Sequence, residues 1–394
     1  MTKPNFKLTK TACYSAYFTM SSIFCLPPLL FVTFREMYGI SWTQLGSLVL
    51  ANFFTQLIID LIFAAFSKKF NAAATLKIMP LITSAGLLIY ALFPLFFPHI
   101  AYVGLLIGTV VFSVSAGLSE VLLSPTVAKI PSDNAEGDMS ALHSLYAFGV
   151  FSVVVVGTLY IKLVGAEYWS YLTIFFAALP VISAVLFMIS PMPDMSEPKE
   201  VERGVSAKKN TIGILLFVAC IFLGSCAENV MSSWISGYME AELNIDKTLG
   251  DIFGVALFAI LLGITRLSYP KWGKSISKTL LIGMIGASLC YLVAGVSNYA
   301  APAFVACVLT GIFSAMLWPG ALIMMEEKMH GVGVGAYALM AAGGDLGASV
   351  APQILGIVAD SFGLRQGMLV STAFPILGIF AVIVTIRYFK NKEA

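Results

Sequence analysis

The chain has 394 residues, 59% of them hydrophobic and 11% charged, with a net charge of +2 and a mean hydropathy of +0.90. A soluble domain carries about 25% charged residues, so this composition excludes a water-soluble protein. The few basic residues are placed for membrane topology rather than phosphate binding, and nucleic acid is not an expected partner.

Windows of about 20 apolar residues mark membrane helices. Twelve such spans follow in order, at roughly 12–34, 43–66, 75–97, 100–127, 138–163, 168–190, 211–238, 248–269, 277–296, 301–325, 333–358 and 366–388. Lys3, Lys7 and Lys10 precede a first span too long for a cleaved signal peptide. Between the sixth and seventh spans, 191–210 carries Pro191, Pro193, Pro198 and mixed charge, and reads as a cytoplasmic linker. The expected organisation is therefore an all-α membrane protein with a six-helix half at 1–190, the linker, and a second half at 211–394. Cys13, Cys25, Cys220, Cys226, Cys290 and Cys307 all fall in apolar stretches without metal-ligand spacing and read as free thiols.

Lys and Arg set the orientation. Eighteen lie at the N-terminus, in the even-numbered connections and in the tail, against four (Arg35, Lys162, Lys247, Arg365) in the odd-numbered connections. Both termini are thus expected on the cytoplasmic side, in the bacterial plasma membrane. Trp42 and Trp169 fall at span edges and read as interface anchors.

Ionisable residues inside a span are costly and point to function. Glu120, in Ser119-Glu120-Val121-Leu122-Leu123-Ser124-Pro125 of the fourth span, stands about nine residues from Lys129, or about 13 Å deep at 1.5 Å per residue. An apolar medium favours the neutral form of a carboxylate, so Glu120 is the expected proton-coupling group. Asp345, among Gly343, Gly344 and Gly347 of the eleventh span, is either a second protonation site or a partner of Arg266. Asp60 and Arg266 lie near the cytoplasmic ends of the second and eighth spans and are expected as gating groups, in ion pairs between the halves that close the inner gate, rather than as substrate contacts. On the seventh span Ser225, Glu228 and Ser232 are three and four apart and share one face, with Asn229 beside them. A polar stripe at this depth faces a cavity or a partner helix. His143 and Tyr146 share a face of the fifth span. Trp234, Tyr238 and Trp318 could stack on the apolar face of a sugar ring. The expected solute-binding set is Glu120, His143, Tyr146, Glu228, Asn229, Ser232, Trp234 and Trp318.

The halves resemble each other. Glu120 and Pro125 are matched by Ser314 and Pro319, and Ala147-Phe148-Gly149 by Ala341-Ala342-Gly343. A parallel six-plus-six repeat resembles the major facilitator superfamily, which implies a twelve-helix fold with a midplane cavity and rocking of the halves. Gly117-Leu118-Ser119-Glu120, Leu142-His143-Ser144-Leu145-Tyr146 and Met316-Leu317-Trp318-Pro319 resemble its fucose/glucose/galactose–proton symporter branch. That resemblance implies a sugar and proton site at Glu120, with His143 and Tyr146 where the branch has Gln and Asn. The first span has no acid where the branch has one.

These readings converge on a monomeric secondary transporter in a lipid bilayer. It would be a proton-coupled symporter of a monosaccharide or similar small polar solute, with no cofactor beyond the coupling ion, a proton or sodium. The alternatives are a proton-driven exporter of amphipathic compounds and a membrane sensor on a carrier fold, the latter disfavoured by the short linker and tail. No phosphate loop, metal cluster or nucleophile elbow suggests an enzyme.

Overall fold

The computed structural model describes residues 6–66, 70–132, 135–193, 211–273, 275–329 and 334–393. All regular structure among them is helical. Of the expected linker, 194–210 lies outside the described residues, as does the side chain of His143.

The chain divides into two compact units, Met1–Tyr38 with Thr55–Gly204, and Gly39–Phe54 with Val205–Ala394. The first contains α1 (Lys7–Leu29), α2 (Phe31–Tyr38), the later part of α3 (Trp42–Phe66), α4 (Ala72–Phe96), α5 (Ala101–Ala128), α6 (Ala135–Val164) and α7 (Trp169–Ile189). The second contains the start of α3, then α8 (Thr211–Ala241), α9 (Lys247–Leu249), α10 (Leu257–Trp272), α11 (Ile276–Val296), α12 (Ala300–Ser314), α13 (Leu317–Lys328), α14 (Val334–Phe362), α15 (Leu364–Ser371) and α16 (Ala373–Glu393). Nine helices among the described residues are long and apolar enough to cross a membrane, and the pair α1–α2, bent by 48°, makes a tenth. The expected fifth and eleventh spans are the long helices α6 and α14.

Proline accounts for the breaks. Pro has no N–H to give the carbonyl four residues back. Pro27 and Pro28 precede the bend after Leu29, Pro319 follows the break at Ala315–Met316, and Pro375 follows the break at Thr372. Pro125, the counterpart of Pro319 in the expected repeat, sits instead inside a continuous α5. A second irregularity, the π-helical turn Gly250–Ala256, joins α9 to α10.

In the first unit α4 packs on α5 and α7, and α1 on α6 and α7. Thr83 donates to Ser115 across α4 and α5 at 2.8 Å. Trp169 is fully buried, its ring edge-on to Phe34 at 4.8 Å and to Tyr90 at 6.2 Å. It is therefore a core residue, not the interface anchor its position suggested. In the second unit α8 is central and packs on α14, α16 and α13. The expected anchor Trp42 is also buried, edge-on to Trp234 at 5.7 Å.

The start of α3 is seated on α14 by small residues. A Cβ at Gly46 would lie 3.1 Å from the Pro352 carbonyl oxygen, and one at Gly356 would lie 2.5 Å from that of Trp42. Its N-terminus has a full set of acceptors. Ser41 Oγ accepts from Gln44 N at 3.2 Å and Gln44 Oε1 accepts from Ser41 N at 3.0 Å, a reciprocal capping box. Leu45 N donates to the Ser41 carbonyl at 3.0 Å. Asp360 of α14 supplies the remainder, accepting from Trp42 N and Thr43 N at 2.7 Å each. Asp360 stands beyond the expected end of the eleventh span. Partial burial would raise its pKa, but the hydrogen bonds from Thr43, Trp42 and Ser41 outweigh that and leave it lowered.

Candidate functional site

In the first unit Glu120 extends from α5 and Asp60 from α3. The period of the helix separates Ser119 from its neighbour. Ser119 is buried and donates to the Ser115 carbonyl at 2.7 Å, whereas Glu120 is exposed and points away from the α4 contact. The Glu120 and Asp60 carboxylates come within 4.8 Å of each other. Two ionised carboxylates this close repel by several kcal/mol at an effective dielectric of about 20, so the pair favours binding a proton or another positive charge. Tyr146 of α6 lies edge-on to Tyr17 at 6.4 Å and to Phe24 at 5.8 Å, so an aromatic wall from α1 meets the face on which His143 also falls.

In the second unit the centre is an ion pair. Arg266 of α10 donates through Nη2 to both oxygens of Glu228 on α8, at 2.8 and 2.7 Å. Its Nε donates to the Ala315 carbonyl at 2.7 Å. That carbonyl is the one Pro319, four residues on, cannot serve. Arg266 thus replaces the missing helical hydrogen bond and fixes the break between α12 and α13 to α8. The Glu228 side chain is 17% exposed and that of Arg266 35%. The pair is only partly buried, so removing one partner leaves the other charge partly desolvated at less than the cost of breaking a fully buried pair.

Arg266, expected in an ion pair between the halves, is bonded to Glu228 and to the Ala315 carbonyl of its own unit. Arg266 is held by Glu228 and a carbonyl rather than by Asp345, and Asp60 stands beside Glu120. Which charged groups meet depends on which helices are neighbours.

The remaining α8 residues divide by face. Asn229 Nδ2 donates to the Ser225 carbonyl and Oγ at 3.1 Å each, and Ser232 Oγ donates to the Asn229 carbonyl at 3.2 Å. All three are polar groups on or beside the Glu228 face. Trp234 is fully buried and donates its indole N–H to the Pro352 carbonyl at 3.1 Å, and Tyr238 is buried with its hydroxyl on the Ala294 carbonyl. Neither offers a ring face to a solute in this structure. Trp318, at the start of α13, is half-buried against α14, where its indole fills the space a Cβ on Gly344 would need. Asp345, the next residue, is buried.

Sequence reasoning missed one charged cluster. Lys247 Nζ lies 3.2 Å from Glu240 and 3.5 Å from Asp251, and donates to Ser236 Oγ at 3.3 Å. Ser236 also donates to Asp251, which is 1% exposed at the π-helical turn. The spacing of Lys247 and Asp251, four apart, was the available signal.

The profile of the Major Facilitator Superfamily matches residues 12–278. The chain belongs to the major facilitator superfamily. It is therefore an integral membrane protein of a transporter family that moves small-molecule solutes. Solved structures of this superfamily share the fold over nearly the whole chain. A bacterial homologue of the human lysosomal transporter Spinster, inward-facing and occupied, is similar at TM-score 0.77 and 12% identity, covering 98% of each chain. A D-xylose–proton symporter is similar at TM-score 0.77 and 13% identity, covering 96% of each. The Escherichia coli fucose–proton symporter FucP is similar at TM-score 0.62 and 13% identity, covering 98% of this chain and 99% of that one. By sequence, no curated protein matches significantly.

Proposed function

We propose that the chain is a proton-coupled symporter of a small hydroxylated solute of the monosaccharide class, working by alternating access as a monomer in the bacterial plasma membrane with both termini cytoplasmic. The observation that carries this reading is the Asp60–Glu120 carboxylate pair, within 4.8 Å of each other on two largely apolar helices of one unit. A proton shared by such a pair is a mobile positive charge that can be taken up and released as the site changes access. Asp345 serves as a second proton carrier, and sodium is the competing coupling ion. Solute contacts come from Glu120, His143, Tyr146, Glu228, Asn229, Ser232 and Trp318. Support also comes from the similar structures named as symporters of D-xylose and fucose with protons.

The test is uptake of radiolabelled monosaccharides into proteoliposomes with an imposed inward proton gradient. Glu120→Gln is expected to abolish accumulation against a gradient while leaving solute exchange measurable. Accumulation that persists in this variant, or that follows a sodium gradient instead, overturns proton coupling at Glu120.

A further inference from the structure

Arg266 has a donor edge that its own unit does not use. A guanidinium carries five N–H donors in a planar fork. Nε is spent on Ala315 and Nη2 on Glu228, while Nη1 makes no hydrogen bond among the described residues. The side chain is 35% exposed and pairs with Glu228 near the middle of α8, so it is not sealed by packed side chains. Glu228 grips through a single nitrogen. The fork itself, Nη1 beside Nη2, is the geometry that receives a second carboxylate through two parallel hydrogen bonds.

The surroundings are suited to the rest of such a ligand. Ser232, one turn from Glu228, gives its proton to the Asn229 carbonyl and keeps its lone pairs for a hydroxyl donor. Trp318 sits on the short helix that Arg266 holds in place through Ala315.

We propose that Arg266 is the specificity-determining residue for solute, and that it takes a carboxylate. The transported solute is then a polyhydroxylated acid, such as a uronic or aldonic acid, rather than a neutral sugar. This rests on the symport reading above and names its substrate class. In the empty protein Glu228 occupies part of the guanidinium and competes with the solute for it, which keeps an unoccupied cation from standing alone in the membrane.

The test compares ligands that differ in one group. Purified full-length protein is titrated with D-glucuronate and D-gluconate against D-glucose, with binding read by thermal shift and calorimetry. The acids are expected to bind about tenfold or more tightly than glucose, the range for a charge-assisted pair. Arg266→Gln is expected to remove that preference and Arg266→Lys to keep part of it. Glu228→Gln, which removes the competing anion and leaves Arg266 in place, is expected to bind the acids more tightly than the unaltered protein. Equal binding of acid and neutral sugar, or an acid preference that survives Arg266→Gln, overturns the proposal. Proton-driven uptake of glucose without uptake of either acid overturns this substrate class and leaves symport standing. Absence of binding and uptake for all three overturns both.

Discussion

Asp360 caps a helix other than its own, and replacing it should have a measurable cost. Asp360→Asn keeps one neutral acceptor where the carboxylate takes two backbone N–H groups of α3 at 2.7 Å each. Losing one hydrogen bond and the charge at a helix N-terminus costs about 1 kcal/mol, at the lower end because the residue is exposed. Asp360→Ala leaves Trp42 N and Thr43 N to water and should cost about 2 kcal/mol. For a body of roughly two hundred residues each kcal/mol is about 2–4 °C in Tm. The capping box of Ser41 and Gln44 stays intact, so neither variant should unwind α3. The sign with pH follows from the lowered pKa. A carboxylate depressed in the folded state contributes fully above its unfolded value, about 3.9, and its contribution is lost as pH falls through the lower folded value. The gap between the protein and Asp360→Asn, read by thermal unfolding in detergent, should therefore be constant from pH 5 to 8. A gap that shrinks within that range, or no gap at all, refutes the cap.

Pro319→Ala restores the N–H that the Ala315 carbonyl lacks. Thermal stability should hold or rise while the initial rate of transport falls, because the break held by Arg266 is no longer needed; an unchanged transport rate argues that the break is incidental. Lys247→Met removes the ammonium that Asp251 and Glu240 share, and the Tm should fall by about 6–20 °C, from about 3–5 kcal/mol for breaking a buried pair at about 2–4 °C per kcal/mol. Lys247→Arg should recover part of that loss. Gly344→Val puts two methyl groups where the Trp318 indole lies. It should cost about 1–3 kcal/mol and change the emission of Trp318, which an unaltered spectrum would contradict.

How much of this was legible in the sequence depends on the range of the interaction. Hydropathy located the spans, since lipid demands long apolar helices whatever their neighbours. Local hydrogen-bond patterns were also readable in principle. Ser41-Trp42-Thr43-Gln44 has the spacing of a capping box, and Asn71 caps α4 through Ala74 N at 3.1 Å. Prolines were visible but their effects were not. Pro125 and Pro319 occupy matching positions, yet only the second accompanies a break, and the difference involves a guanidinium supplied by another helix. The Glu228–Arg266 pair joins residues 38 apart. It depends on the packing of α8 and α10, which periodicity does not report. Likewise Asp60 and Glu120 were each singled out, but their proximity needed the position of α3 against α5.

The edge-on pair Trp42 and Trp234, with rings 5.7 Å apart at 69°, has an optical consequence. Two indoles this close and this fixed couple their transitions, and the pair should give a near-ultraviolet circular dichroism couplet. The chain has five tryptophans, so the signal is not crowded. Trp42 belongs to the start of α3 and Trp234 to α8, and both meet α14 through Gly356. The couplet would follow the integrity of that three-helix junction in unlabelled protein, during a temperature ramp or a solute titration alike.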